Sequence, residues 1–265
     1  DIEVIAGDLC DRDFVSTAVQ GRETVFHLGA LIAIPYSYHA PISYIRTNIE
    51  GTFNILQSVR QAGVERLVHT STSEVYGTAR YVPIDENHPL QGQSPYSASK
   101  IGADKQVEAF HLSFNVPVVT VRPFNTFGPR QSARAVIPTI ITQLLMGQRV
   151  HLGNLSPTRD LNFVANTVDG FIKAAEADGV LGTTINLGSG REISIGDLVV
   201  LIGQLMGKEA LVDVDPNRVR PEKSEVDRLL ADNAKARELL GWTPQISLEG
   251  GLKLTIDWLQ ENMRF

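Results

Sequence analysis

Along the first half of the chain, short apolar, β-branched runs alternate with longer stretches whose apolar residues recur at helical spacing. EVIAGDL (3–9) reads as a strand and DRDFVSTAVQ (11–20) as a helix with an acidic first turn. TVFHLGA (24–30) reads as a second strand. ISYIRTNIEGTFNILQSVRQAG (42–63) reads as an amphipathic helix closed by Gly63 as its C-cap. ERLVHTS (65–71) is a third strand, YSASKIGADKQVEAFHLSF (96–114) a helix and VPVVTVRP (116–123) a fourth strand. Strands that are apolar throughout and separated by helices predict a parallel sheet with helices on both faces, a doubly wound α/β fold with right-handed crossovers.

After Pro123 the pattern loosens. NTFGPRQSAR (125–134) reads as a long polar loop. A helix (VIPTIITQLLMG), the segment TTINLGSG, a helix (SIGDLVVLIGQLMG), a strand (ALVDVD), an Arg- and Pro-rich stretch and two closing helices follow. Residues 124–265 are thus expected to form a smaller lobe over the C-terminal edge of the sheet, able to return strands to it. In open α/β sheets ligands bind beyond the carboxyl ends of the strands. LGA, TSTSE and RPFN all fall at such ends.

Composition narrows the classes. The chain has 265 residues, 43% of them hydrophobic, enough for a sizeable core. A net charge of −6 offers no basic stripe, so no nucleic-acid partner is expected. No apolar run reaches the ~18 residues of a membrane span, and, since DIEVIAGDL reads as a strand, no signal peptide is expected. The single cysteine, Cys10, rules out an internal disulfide framework and reads as a packed small residue in a reducing, cytoplasmic setting. The six histidines lack metal-ligand spacing, so no metal is assigned. The sequon at Asn154 is given no weight. LGSGREIS fits a phosphate turn or an ordinary strand-to-helix connection equally well. IAIPYSYHAP (32–41) reads evenly as a substrate-facing loop or as packing.

Two clusters carry chemistry. HTSTSEVYGT (69–78) ends a strand in hydroxyls and one carboxylate, Glu74. Turn chemistry alone explains Ser and Thr there. SPYSASK sets Tyr96 and Lys100 four apart, on one helix face. A Tyr with its reference pKa of about 10 is a poor base at neutral pH. A nearby ammonium lowers that pKa and makes the pair a candidate acid/base. On a surface helix the same spacing is merely a solvated pair.

The combination of a Ser/Thr strand end, Tyr-x-x-x-Lys about two dozen residues later, and a strand ending RPFNTFGPR resembles the extended short-chain dehydrogenase/reductase family. These are the NAD-dependent epimerases and dehydratases. The likeness covers essentially the whole chain, including Asp8-Leu9, HLGA, NIEGTFNIL and LGW with its following Pro. It is strongest to nucleotide-sugar 4,6-dehydratases. VRPFNTFGPRQSARAVIPTIITQLL is particularly similar to enzymes acting on nucleotide-linked N-acetylglucosamine on the way to legionaminic-type sugars.

The resemblance implies roles. Residues 1–123 would be the remainder of a dinucleotide-binding domain holding NAD, and 124–265 the nucleotide-sugar lobe. Asp8 and Leu9 would face the adenine, and Leu28, Gly29, Ala30 and Pro123 would line the cofactor. Thr72 would bond the sugar 4-hydroxyl, Tyr96 take its proton, and Lys100 hold the nicotinamide ribose. Asn125 and Arg159 would contact the sugar diphosphate and Arg220 the nucleotide end, since Arg forks give bidentate bonds to phosphate. Glu74 would take the C5 proton in an elimination. Ser73, where many such dehydratases carry Asp, would relay a proton, or Glu74 would serve both steps. A 4-epimerase or decarboxylase of the same family, or a catalytically silent dinucleotide-binding protein, are the competing readings. A homodimer through the helices NIEGTFNILQSVRQ and SASKIGADKQVEAFHLSF is also implied. The family's Gly-rich pyrophosphate turn would lie about fifty residues upstream of GDL. The chain does not contain it, so on its own it is expected to bind NAD poorly and to be unstable.

Overall fold

The computed structural model describes residues 2–262. Asp11 caps α1 (Arg12–Val19) by accepting the backbone N–H groups of Asp13 and Phe14, and turns Val15 and Val19 inward. β1 (Thr24–His27) leads into two single-turn helices, α2 (Ile34–Ser37) and α3 (Pro41–Tyr44). A wider π-helical turn, Ile45–Glu50, then joins α4 (Gly51–Ala62). Gly63 stops α4 in the left-handed conformation, φ 65°, as its place in the pattern predicts. The π turn interrupts the continuous helix expected over 42–63. Within it Asn48 bonds both backbone groups of Leu31 and the Ser99 hydroxyl.

β2 (Arg66–Thr70) ends in a 3₁₀ turn, Ser73–Tyr76. α5 (Pro95–Phe114) starts at a reciprocal Ser94–Ser97 capping box and leads to β3 (Val118–Pro123). The second half contains β4 (Asn125–Phe127), α6 (Val136–Met146), β5 (Arg149–Leu152), β6 (Thr158–Phe163) and α7 (Val164–Glu176). β7 (Thr184–Leu187), β8 (Glu192–Ser194), α8 (Ile195–Met206), β9 (Leu211–Val214), α9 (Ala234–Leu240) and α10 (Leu248–Asn262) complete it.

The main sheet runs β1-β2-β3-β7, parallel throughout. Successive strand residues face opposite sides. Leu67 and Val118 pack with residues of α1, α4 and α5, whereas Val68, Val119, Val121 and Ile185 pack with Phe171 of α7, Leu240 of α9 and Trp242. Both faces are covered, which is why the strands are apolar throughout. Each such buried Leu or Val contributes roughly 1.5–3 kcal/mol. A separate apolar cluster joins Ile140 and Leu144 of α6, Ile202 of α8, Leu252 and Ile256 of α10, and Leu161 of β6. Two small sheets, β4-β6-β8 and β5-β9, flank it.

Two expectations are corrected. The segment 3–9 forms no strand: Ile2 and Val4 are 93% and 89% exposed, and among the described residues β1 pairs only with β2. An extended segment without a ladder partner has nothing to offset its ordering cost. The polar stretch after Pro123 is not all loop, because Asn125–Phe127 pairs with β6. β6 itself, TRDLNF, escapes pattern reading because its polar side chains point inward. Asp160 and Asn162 are fully buried, and the Asp160 carboxylate accepts N–H bonds from Ser189, Gly190 and Ala231. The same bonds decide the LGSG turn: its N–H groups serve Asp160, so it is a structural connection.

Candidate active site

Just past β2, Thr72 is extended and its hydroxyl accepts the Glu74 N–H at 3.3 Å, so part of the hydroxyl cluster does serve the turn. The 3₁₀ turn buries Ser73 and Glu74 (2% and 8% exposed). Among the described residues no hydrogen-bond partner meets the Glu74 carboxylate. Facing it, the capping box aims the first turns of α5. Tyr96 and Lys100 are buried there, and the Tyr44 ring stands edge-on to Tyr96 at 6.2 Å. Lys100 donates from Nζ to the Thr70 carbonyl at 2.7 Å.

The electrostatics differ from the simple Tyr–Lys expectation. Burial pushes the Tyr96 phenol well above its ordinary value; the Thr72 hydroxyl pulls it back, and the charges of Glu74 and Asp104 push it further up. Burial lowers the Lys100 ammonium, and the Asp104 carboxylate opposes that. In the protein alone Lys100 does not bring Tyr96 down: its ammonium is turned to the Thr70 carbonyl, and burial dominates the phenol.

Beneath the pair lies a buried polar network that pattern reading missed. Asp104 accepts from Ser71 Oγ at 2.6 Å, from Arg122 Nη2 at 2.9 Å and from His69 Nε2 at 3.2 Å. Arg122 also donates to the Tyr76 hydroxyl, which donates to Asn186 Oδ1. Burial drives the Asp104 carboxyl up, but the hydrogen bond from His69, the charge of Arg122 and the hydrogen bond from Ser71 hold it at about 2. The one available signal was Asp104 lying four residues after Lys100, on the same helix face.

The arginines meet on the other side. Glu225 stands 3.4 Å from Arg159 and 3.5 Å from Arg220, joining two residues sixty-one positions apart. Burial lowers the Arg159 guanidinium, while the Glu74 charge raises it, so Arg159 lies within electrostatic reach of the turn. The loop carrying Glu225 is tied to the turn region: Gln93 Nε2 donates to the Glu225 carbonyl, and Ser224 bonds both Tyr38 and the Gln93 carbonyl. Asn125 Oδ1 is buried without a hydrogen bond, and Arg220 Nη1 has the long ion pair with Glu225 but no hydrogen bond. Glu225 and Tyr38 were not among the expected site residues. A cavity of about 360 Å³ lined by Glu86, His88, Glu108 and His111 lies behind Asp104 and Arg122, away from Tyr96.

Comparison with known proteins decides the family. The profile of the GDP-mannose 4,6 dehydratase family matches residues 1–255. The chain belongs to this NAD-dependent epimerase/dehydratase family. A UDP-glucose 4-epimerase of Mycolicibacterium smegmatis is 31% identical over 97% of this chain and 83% of its own length. A dTDP-glucose 4,6-dehydratase of Streptomyces antibioticus is 32% identical over 98% of this chain and 77% of its own. The dTDP-glucose 4,6-dehydratase DesIV of Streptomyces venezuelae, solved with NAD bound, superposes with a TM-score of 0.88 at 30% identity. That match covers 97% of this chain and 79% of that one.

The cofactor of this epimerase/dehydratase family is NAD, and the strand ends here fit it. Leu28 is 61% exposed beside Gly29 and the half-buried Ala30, leaving an apolar surface at the end of β1; Pro123 ends β3. A Cβ on Gly29 would stand 2.7 Å from Leu9 Cδ1, so a side chain there would require Leu9 to shift. Leu9 thus packs against Gly29 and the α1–α4 core, and Asp8 accepts the Cys10 N–H at 2.9 Å from an exposed turn. No described helix is long and apolar enough to cross a membrane.

Proposed function

We propose that the protein is a nucleotide-sugar 4,6-dehydratase acting on a nucleotide-linked N-acetylglucosamine. The observation that carries this reading is Glu74: a buried carboxylate two residues past Thr72, without a hydrogen-bond partner among the described residues and electrostatically coupled to Tyr96. Bound NAD, held at its ribose by Lys100, would supply reversible hydride exchange with the sugar and a positive ring that favours the Tyr96 phenolate. Thr72 bonds the 4-hydroxyl and Tyr96 accepts its proton, leaving a 4-ketone that acidifies C5–H. Glu74 accepts the C5 proton. The C6 hydroxyl leaves as water, its proton supplied by Glu74 or through Ser73. A proton returned to C5 completes the 4-keto-6-deoxy product, with net loss of one water. Lys100 holds the cofactor ribose, and Arg159, Arg220 and Asn125 bind the sugar nucleotide. The reading includes a cytoplasmic homodimer: α4 and α5 carry Phe53 and Phe114, 38% and 45% exposed, on the helices expected to pair.

Mass spectrometry of a nucleotide-sugar panel tests it. Loss of water is expected with the N-acetylglucosamine member. Unchanged mass with altered retention would make the protein a 4-epimerase, the reading that the 31% identical UDP-glucose 4-epimerase favours. Loss of carbon dioxide would make it a decarboxylase, and no change with any sugar a silent dinucleotide binder. Glu74→Gln should keep hydride removal from C4 yet lower turnover ~10²–10⁴-fold, the usual share of a general base. Turnover near the parental rate would return Glu74 to the role of a turn residue.

A further inference from the structure

Asp104 is 6% exposed, carries a full charge, and touches none of the groups given a role above except through other side chains. Three side chains converge on its two oxygens. His69, in β2, reaches Oδ1 at 3.2 Å; Ser71, just past β2, reaches Oδ2 at 2.6 Å; Arg122, in β3, reaches Oδ2 at 2.9 Å. Ser71 is the residue before Thr72, and its backbone N–H is held by the Val121 carbonyl at 2.8 Å. One helical turn earlier, Lys100 grips the Thr70 carbonyl. Helix α5 therefore holds the end of β2 at two successive points, directly before the turn that carries Thr72, Ser73 and Glu74.

We propose that Asp104 is a positioning residue: its carboxylate, held by Ser71, His69 and Arg122, sets the spacing between the turn bearing Thr72 and Glu74 and the helix bearing Tyr96 and Lys100. The inference rests on the redox chemistry at C4 proposed above, and adds to it the group that keeps that geometry. His69 serves here as a neutral donor. Its Nδ1 is buried without a partner, tolerable for a lone pair but costly for the second N–H of an imidazolium. Burial, opposed by the hydrogen bond to Asp104, lowers its pKa in agreement. The charged and titratable groups around the clamp are His27 from β1, His69 from β2, Arg122 from β3, Lys100 and Tyr96 from α5, Glu74 and Tyr76 from the turn, and, across the cavity behind Asp104 and Arg122, Glu86 and His88 from the loop before α5 and Lys105, Glu108 and His111 from α5. The negative charge of Asp104 favours the proton on both Lys100 and Tyr96.

Two variants of the full-length, NAD-loaded protein test this. Ser71→Ala removes one clamp bond and leaves only a small hole. It should lower kcat ~10- to 10²-fold, the scale of a misplaced reacting group, with KM little changed. Amide exchange in residues 72–77 should quicken while β3 and β7 keep their parental protection. Asp104→Asn should move both limbs of the bell-shaped pH–rate profile to lower pH, because the charge that held protons on Lys100 and Tyr96 is gone. A merely structural ion pair would lower the profile without moving it. Parental kcat and parental exchange in Ser71→Ala, or an unmoved profile in a folded Asp104→Asn, would overturn the proposal. If Asp104→Asn does not fold, Ser71→Ala decides alone. If the parent acts on no nucleotide sugar, it is the functional reading that fails, and amide exchange still judges the clamp.

Discussion

The two ends of the site are built on opposite plans. Around Tyr96 and Lys100 the charges are buried: Lys100, Asp104 and Arg122 are 3%, 6% and 6% exposed, with Lys100 bonded to the Thr70 carbonyl at 2.7 Å, Arg122 bonded to Asp104 at 2.9–3.3 Å, and the Glu74 carboxylate alone without a hydrogen bond among the described residues. Around Arg159 and Arg220 the contacts are longer, one carboxylate serves two guanidinium groups, and the Arg220 side chain is 28% exposed. Polar atoms there, Arg220 Nη1 and Asn125 Oδ1, have no hydrogen bond. Apart from Glu74, the polar groups of the first end are fixed within the protein, as chemistry needing sub-ångström placement demands. The second matches the proposed role of binding a sugar nucleotide, since guanidinium forks to phosphate would supply both energy and orientation and a sugar hydroxyl could donate to Asn125 Oδ1.

The contrast can be broken at the closed end first. Tyr96→Phe should cost turnover ~10²–10⁴-fold, because the 4-hydroxyl then keeps its proton; affinity for the nucleoside diphosphate, measured by calorimetry, should stay parental. At the open end Arg159→Met should do the reverse, weakening nucleoside diphosphate binding by about 1.5–3 kcal/mol, or roughly ten- to a hundredfold. A kcat fall without loss of binding would instead tie Arg159 to Glu74 rather than to phosphate.

Stability should depend on pH through the closed end. Burial, then the neighbouring His69 and Lys100, lower His27 well below its ordinary value, and burial lowers His69. Both fold neutral, so the unfolded chain binds more protons. Their contribution is full above about pH 6.5 and is lost as pH falls through that value, approaching about 1.4 kcal/mol per pH unit for each histidine. Thermal unfolding at pH 7.5 and 5.5 should reveal it, and His27→Gln should flatten the dependence. Asp104 acts in a separate window: with its carboxyl held at about 2, its contribution persists until pH falls below about 4. The smallest effect is expected at Arg220→Ala, whose partly exposed side chain should change KM only a few-fold and lose even that at high salt.

Periodicity made the parallel sheet legible because strands covered on both faces cannot hide their apolar runs, and Gly63, the Ser94-Pro95 helix start and α5 followed from local backbone chemistry. The pairing of Tyr96 with Lys100 was legible for the same reason: a helix converts a spacing of four into one face. The strand read at 3–9 failed because strand formation is a property of pairs, and no described residue supplies the partner. β6 was unreadable because Asp160 and Asn162 look like surface residues until their partners, far along the chain, fold around them. The meeting of Arg159, Arg220 and Glu225 was likewise invisible, and so was the convergence of Ser71, His69 and Arg122 on Asp104. The chain thus determined by itself the long helices, the apolar strands of the main sheet and which residue types stand at their ends. Tertiary structure alone decided which charges share a partner, since that depends on contacts between residues distant in sequence and on a burial that makes each unpaired charge too costly to leave alone.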